Sequence, residues 1–162
     1  MTVIIRDGSI ATDDTWQHAP GEGALPAGDM IVPWARWQAE REQLLDHDGR
    51  LGVRLKGDDP LEELAPDLEH LSCVALEFPV FKDGRCYSFA RLLRERYDFR
   101  GDLRAVGDVL IDQVFFMHRC GINVLELRED QDSDAALAAF NRFTVFYQPA
   151  ADEPLPLYRR GR

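Results

Sequence analysis

Residues 73–128 read CVALEFPVFKDGRCYSFARLLRERYDFRGDLRAVGDVLIDQVFFMHRCGINVLELR. The order is strand, charged loop, helix, strand, short loop, helix, strand, and each strand hands over to a cluster of charge. Cys73–Phe78 has almost no polar interruption, as expected of a strand covered on both faces or closed into a barrel. After it, Phe89, Leu92, Leu93 and Tyr97 follow the 3.6-residue period of an amphipathic helix, with Ser88 as its expected cap. Leu103–Val106 is the next strand, Asp108 the expected cap of a helix running to Cys120, and Gly121 its stop. In a parallel α/β sheet the loops after the carboxyl ends of the strands converge, so the charges at those ends are where a ligand site is expected.

Working outward, the same alternation extends in both directions. Met30–Val32 reads as a short buried strand. Pro33 opens a helix with Trp34, Trp37, Arg41, Leu44 and Leu45 on one stripe. Leu51–Leu55 is a strand, Asp59 and Pro60 begin a helix, and Pro66 should shorten it. Val124–Leu127 is a strand, Ser133 caps an alanine-rich helix, and Thr144–Tyr147 is expected as the last strand. Strand centres recur at about 20 to 30 residues, the spacing of consecutive βα units whose right-handed crossovers lay sequential strands side by side. Gly57-Asp58 before Leu76-Glu77-Phe78 is echoed by Gly107-Asp108 before Leu125-Glu126-Leu127. The expected fold is therefore α/β with a parallel sheet, an incomplete TIM-like barrel favoured over a flavodoxin-like doubly wound sheet. An N-terminal β-hairpin precedes it, signalled by Val3, Ile4, Ile5, the Asp7-Gly8 turn and Ile10. This divides the chain into a hairpin arm and linker (1–29), a βα-repeat domain (30–148) and a flexible tail (149–162).

Composition narrows the function. The 162 residues carry 29 Asp+Glu against 19 Lys+Arg, a formal charge of -10, so nucleic acid and anionic membrane are repelled. No apolar run reaches the roughly 18 residues of a membrane span, nor does the N-terminus read as a signal peptide. A cytoplasmic protein is expected. Cys73, Cys86 and Cys120 are odd in number and widely spaced, against a disulfide framework. Cys86 stands apart because it lies in the charged loop beside Arg85, where a reactive thiol is conceivable. The sequence lacks GxGxxG, GxxxxGK[ST] and GxSxG, so no dinucleotide, ATP or acyl-transfer site is legible and the cofactor stays open.

The candidate site follows from topology. Glu77 and Glu126 end apolar strands, where an unpaired carboxylate is costly, and with Asp108 they are the candidate catalytic groups or metal ligands. Lys82, Asp83, Arg85 and Arg104 are the candidate substrate-binding residues there, and Arg54, Arg85 and Arg104 the available ionic partners. Each has an ordinary reading as well: a cap for Asp108, a turn for Asp83-Gly84, a plain ion pair for Glu77. No two of the four histidines have metal-ligand spacing, and all four read as structural.

The segment Glu77-Phe78-Pro79-Val80-Phe81-Lys82-Asp83-Gly84-Arg85, continued by Tyr87-Ser88 and Ala90–Arg94, resembles the bacterial family called domain of unknown function 934. A second block matches at Leu103–Leu110, Asp112-Gln113 and Cys120-Gly121. The resemblance spans roughly residues 30 to 148. It places Phe78, Lys82, Asp83, Arg85, Tyr87, Arg91, Arg104, Asp108 and Gln113 among shared positions, and so implies Tyr87 and Gln113 as further candidate substrate-binding residues. Members are commonly encoded beside the sulfite reductase haemoprotein and labelled as oxidoreductases involved in sulfite reduction, so the resemblance implies an accessory protein or electron-transfer partner of that enzyme. The residues alone support an alternative, a small-molecule enzyme whose carboxylates and arginines hold an anionic substrate with a divalent cation such as Mg²⁺. A third reading is a module that forms a homodimer through the apolar Leu110–Met117 helix.

Overall fold

The structure is a computed structural model that describes residues 2–80, 82–142, 148–156 and 159–160. Its strands are β1 (Ile4–Arg6), β2 (Ser9–Ile10), β3 (Gln17–His18), β4 (Met30–Pro33), β5 (Leu51–Leu55), β6 (Cys73–Phe78), β7 (Asp102–Gly107) and β8 (Val124–Glu126). They form one curled half-barrel sheet of eight strands in the order β2-β1-β8-β7-β6-β5-β4-β3. From β3 to β8 every neighbouring pair is parallel, and β1 joins β8 antiparallel. The expected hairpin is present: Asp7 and Gly8 both have positive φ between β1 and β2. It adds to the sheet as two further strands. The expected strand at 144–147 lies outside the described residues.

Among the described residues the helices are α1 (Trp34–Leu45), α2 (Leu61–Leu64, continued by a 3-10 segment over Ala65–His70), α3 (Arg85–Glu95) and α4 (Ile111–Arg119), which connect consecutive parallel strands, and α5 (Ser133–Phe140), which follows β8. Sequential parallel strands joined by right-handed crossovers bring their helices to one face. The core divides accordingly. Met30, Val32, Val53, Leu55, Val74, Leu76, Leu103, Ala105 and Leu125 join the helix residues Trp37, Leu61, Leu93 and Val114 in one large cluster. The alternate strand residues Ile31, Cys73, Ala75 and Val106 form a second, small cluster, closed by Trp16. Because side chains alternate along a strand, these two sets are the two faces of the sheet.

Several helix starts differ from the sequence reading. Asp59 does not cap α2; its carboxylate accepts from the Lys56 backbone N–H at 2.7 Å, closing the turn after β5. Helix α3 begins at Arg85, so Ser88 is already inside it, and Gly84 precedes it without a side-chain cap. Helix α4 begins at Ile111, whose N–H is taken by Gln131 Oε1 at 3.1 Å, and Asp108 is spent elsewhere. At α5 the cap is Asp132, which accepts from the N–H groups of Asp134 and Ala135. On α1, Leu45 points outward and Arg36 is the buried polar residue, bonded to Glu40 and the Pro20 carbonyl. Pro66 ends α2 as expected, by diverting the chain into the 3-10 segment.

Residues 11–18 decide where a site can form. They leave β2 at one edge of the sheet and enter β3 at the opposite edge, so they cross the concave face that carries no helix. Described tail residues bond back to α4: the Ala151 N–H donates to the Arg119 carbonyl, and Arg119 pairs with Asp152 at 2.7 Å.

Candidate functional site on the concave face

Register places the concave-face residues in layers. Arg54, Ala75, Arg104 and Val124 are aligned across β5 to β8, and Glu77 is aligned with Val106 one layer nearer the carboxyl ends. Ile4 on β1 is the partner of Glu126 on β8, which sets Ile4, Arg6 and Glu126 on the same face. The crossing segment lays Asp14, Trp16 and His18 over them.

The result is a chain of charge. Arg104 is 1% exposed, and both its terminal nitrogens donate to Asp14, at 2.5 to 3.2 Å. Its Nε lies 3.0 Å from Glu126 Oε1, but at an angle that makes no hydrogen bond. Glu126 in turn meets His18 Nε2 at 2.8 Å. Four strands separate β3 from β8 in the sheet, so this contact measures how far the half-barrel has curled. Arg6 donates to Asp14 at 3.0 Å and to Asp102 at 3.4 Å, and Arg54 pairs with Glu77 at 3.3 Å. A charge as deep as Arg104 survives only with such partners.

Four buried side-chain atoms on this face have no hydrogen bond: Trp16 Nε1, Arg6 Nε, Arg104 Nε and Glu77 Oε2. Buried polar groups are almost always paired, and each orphan costs about 1–3 kcal/mol. Of the four residues only Trp16 lines the cavity of about 670 Å³ that opens between hairpin and crossing segment, within the size range of small-molecule sites. Val3, Ile4, Ile10 and Trp16 supply its apolar wall; Asp14, His18 and Glu126 supply its polar one.

The residues expected from sequence divide between this face and its surroundings. Glu77, Glu126 and Arg104 lie on the concave face. Asp83 and Arg85 form a bidentate pair in the loop after β6, at 2.7 and 2.9 Å. The Arg85 guanidinium holds the Asp83 carboxyl down at about 2 and is itself pushed up. Gly57 lets that loop close on the loop after β5, since a Cβ there would sit 2.6 Å from Arg85 Cβ. Asp108 is bound by Arg128, which also holds Asp130 down at about 2. Gly107 must be glycine: its φ is +93° and a Cβ would fall 2.5 Å from the Phe78 carbonyl oxygen. Lys82 lies in the exposed loop. Tyr87 is on α3, ring to ring with Phe78 and Phe116 at 5.0 and 4.8 Å, its hydroxyl pushed up to about 12 by burial. Gln113 is on α4. Among the described residues no three His, Cys, Asp or Glu side chains converge as a metal-ligand group.

The cysteine in the charged loop is not a reactive thiol in this setting. Cys86 is 1% exposed, its Sγ donates to the Glu77 carbonyl, and burial pushes the thiol up to about 12. Cys73 and Cys120 are also buried, with their thiols pushed up by the same cause. Sequence reasoning missed Asp14, Trp16 and His18. The signal available was their period-two spacing, the pattern of a segment lying extended against a sheet.

A family model described as a bacterial protein of unknown function, DUF934, matches residues 52–158. No curated protein and no solved structure matches the chain. No helix among the described residues is long and apolar enough to cross a membrane.

Proposed function

The chain belongs to the bacterial family of unknown function DUF934, and from that premise we propose that it is a ligand-binding accessory protein of assimilatory sulfite reduction. It acts in the cytoplasm with the sulfite reductase haemoprotein and holds a small oxyanion-bearing ligand on its concave face. The observation that carries the binding part is the buried Trp16 Nε1, which has no acceptor and lies in the wall of the cavity, together with the buried Arg104, whose partners Asp14 and Glu126 line it. A protein that needed this face only for stability would be served as well by apolar residues. The link to sulfite reduction rests on the family resemblance and on the acidic surface, which suits electrostatic steering toward a basic partner. Sequential strand order and a helix-free concave face support the TIM-like half-barrel over a doubly wound sheet.

The binding part is tested by thermal melting in sulfite, sulfate and chloride at equal ionic strength. A rise with sulfite or sulfate that is lost in Arg104→Gln supports it; identical melting in all three contradicts it. The partner is tested by pull-down from native lysate. Enrichment of the reductase above control supports the role, and its absence argues against a stable complex.

A further inference from the structure

We propose that Asp14 is a built-in stand-in for the ligand: its carboxylate occupies the oxyanion position on Arg104 and Arg6, and residues 12–14 swing away when a small oxyanion takes that position. The proposal deepens the ligand-site reading above and rests on it.

The contacts of Asp14 are those of a bound anion. Its carboxylate receives both terminal nitrogens of Arg104 at 2.5 to 3.2 Å and Arg6 Nη2 at 3.0 Å, and its side chain is 11% exposed. A planar guanidinium fork matches the spacing of two oxygens on one acceptor, whether that acceptor is a carboxylate or an inorganic oxyanion. A sulfite or sulfate presents the same edge and brings a third oxygen. Arg104 Nε and Arg6 Nε are buried donors that the two oxygens of Asp14 leave without a hydrogen bond.

The carrier of this carboxylate has little else to hold it. The Ala11 N–H donates to the Ile4 carbonyl and the Gln17 N–H to that of Asp29; between them, among the described residues, no backbone group of residues 12–16 bonds to another backbone group. Thr15 is tied to Asp29 by its hydroxyl, and Trp16 packs under the Arg50 guanidinium, 5.0 Å from the ring centroid. Residues 12–14 are thus pinned at both ends, while their middle rests on Asp14 and the arginines. Segments held by so few bonds are the ones that open most readily in a fold.

Position and charge agree with an exchange. Asp14 lies in the wall of the cavity and Arg104 lies behind it, so withdrawing Asp14 joins the cavity to the buried guanidinium. Replacing one carboxylate by one monoanion leaves the charge around Arg104 unchanged, so entry needs neither a new cation nor a proton. A closed form that must open first lowers the apparent affinity by the fraction of molecules that are open.

The experiment compares the parent with Asp14→Asn and Asp13→Asn in NMR titrations with sulfite and, separately, sulfate at constant ionic strength. Asp14→Asn is expected to bind the anion about tenfold or more tighter than the parent, since minor open states are populated at about 10% or less. Asp13→Asn removes the same charge from an exposed neighbouring side chain and should change affinity by less than about twofold. In the parent, the ¹H–¹⁵N heteronuclear NOE of the Thr12, Asp13 and Asp14 amides should fall as the anion saturates, a reading that stands even if Asp14→Asn does not fold. Affinity in Asp14→Asn no tighter than the parent's, an equal gain in Asp13→Asn, or NOE values that hold or rise in the parent at saturation overturn this inference while leaving an oxyanion site standing. No binding of either anion to parent or to Asp14→Asn overturns both.

Discussion

The two faces of the sheet are built from the same strands by alternate residues, yet they obey opposite rules. The helix face carries Val32, Val53, Leu55, Val74, Leu76, Leu103 and Leu125, buried against α1 to α5 with no polar group to satisfy. The concave face carries Arg54, Glu77, Arg104 and Glu126, buried under one crossing segment and incompletely satisfied. Apolar burial at about 25 cal/mol per Å² is a general source of stability and needs no exact partner. Buried charge stabilises only when every partner is in place. The first face therefore explains why the chain folds, and the second is where it departs from what folding alone requires.

Breaking the comparison produces effects of different size. Arg104→Met takes from Asp14 and Glu126 their most buried partner, leaving only Arg6 and His18 beside them, and should destabilise by about 3–5 kcal/mol in denaturant melts. Leu76→Ala, one residue from Glu77 but on the helix face, should cost about 2–5 kcal/mol through the cavity it opens. Replacing Arg104, Asp14 and Glu126 together by apolar residues of similar volume should recover most of the Arg104→Met loss. A triple variant as unstable as the single one would show that the face is held by something other than paired charge.

A smaller test uses an ion pair that lies on the helix side. Asp67 accepts from Arg41 and from Trp37 Nε1 at 2.6 to 2.9 Å, and the Arg41 guanidinium holds its carboxyl below the usual range. A carboxyl depressed in the folded state contributes stability that is present above its unfolded value, about 3.9, and is lost as pH falls through the depressed one. Asp67→Asn should therefore be less stable than the parent at pH 7 and converge with it in acid. A stability gap that stays constant down to low pH would contradict the assignment. The smallest effect is expected at Glu77→Gln: it removes the charge that Arg54 meets at 3.3 Å, in a pair with both side chains partly exposed, and should shift stability by less than about 1 kcal/mol.

How much was legible in the sequence follows the same division. The strands Leu51–Leu55 and Cys73–Phe78 were readable to the residue, because apolar runs bounded by charge report burial directly. The starts of α3, α4 and α5 were not, because Asp and Ser caps compete with other local bonds. Asp59 closes a turn and Asp108 answers Arg128, choices set by tertiary neighbours. Glu77, Arg104 and Glu126 were legible as strand-end charges needing partners. Their partners were less so: Arg104 meets Asp14 across 90 residues and Glu126 meets His18 across 108, and nothing local in the polar segment 11–18 foretells either. Gln113 lies inside α4, within the helix expected up to Cys120, whereas Tyr87, expected just before the helix capped by Ser88, falls on α3, which already begins at Arg85.

The most direct test of the central claim, that the concave face is the ligand site, is to follow the three tryptophan indole N–H resonances by ¹H–¹⁵N correlation during titration with sulfite. Trp16 lies on the concave face without an acceptor; Trp37 donates to Asp67 on the helix side, and Trp34 is packed in the same core. The account predicts a saturable shift of the Trp16 indole with those of Trp34 and Trp37 unmoved. A Trp16 signal that stays in place while backbone resonances of the Lys82–Arg85 loop shift would put the ligand elsewhere and contradict it.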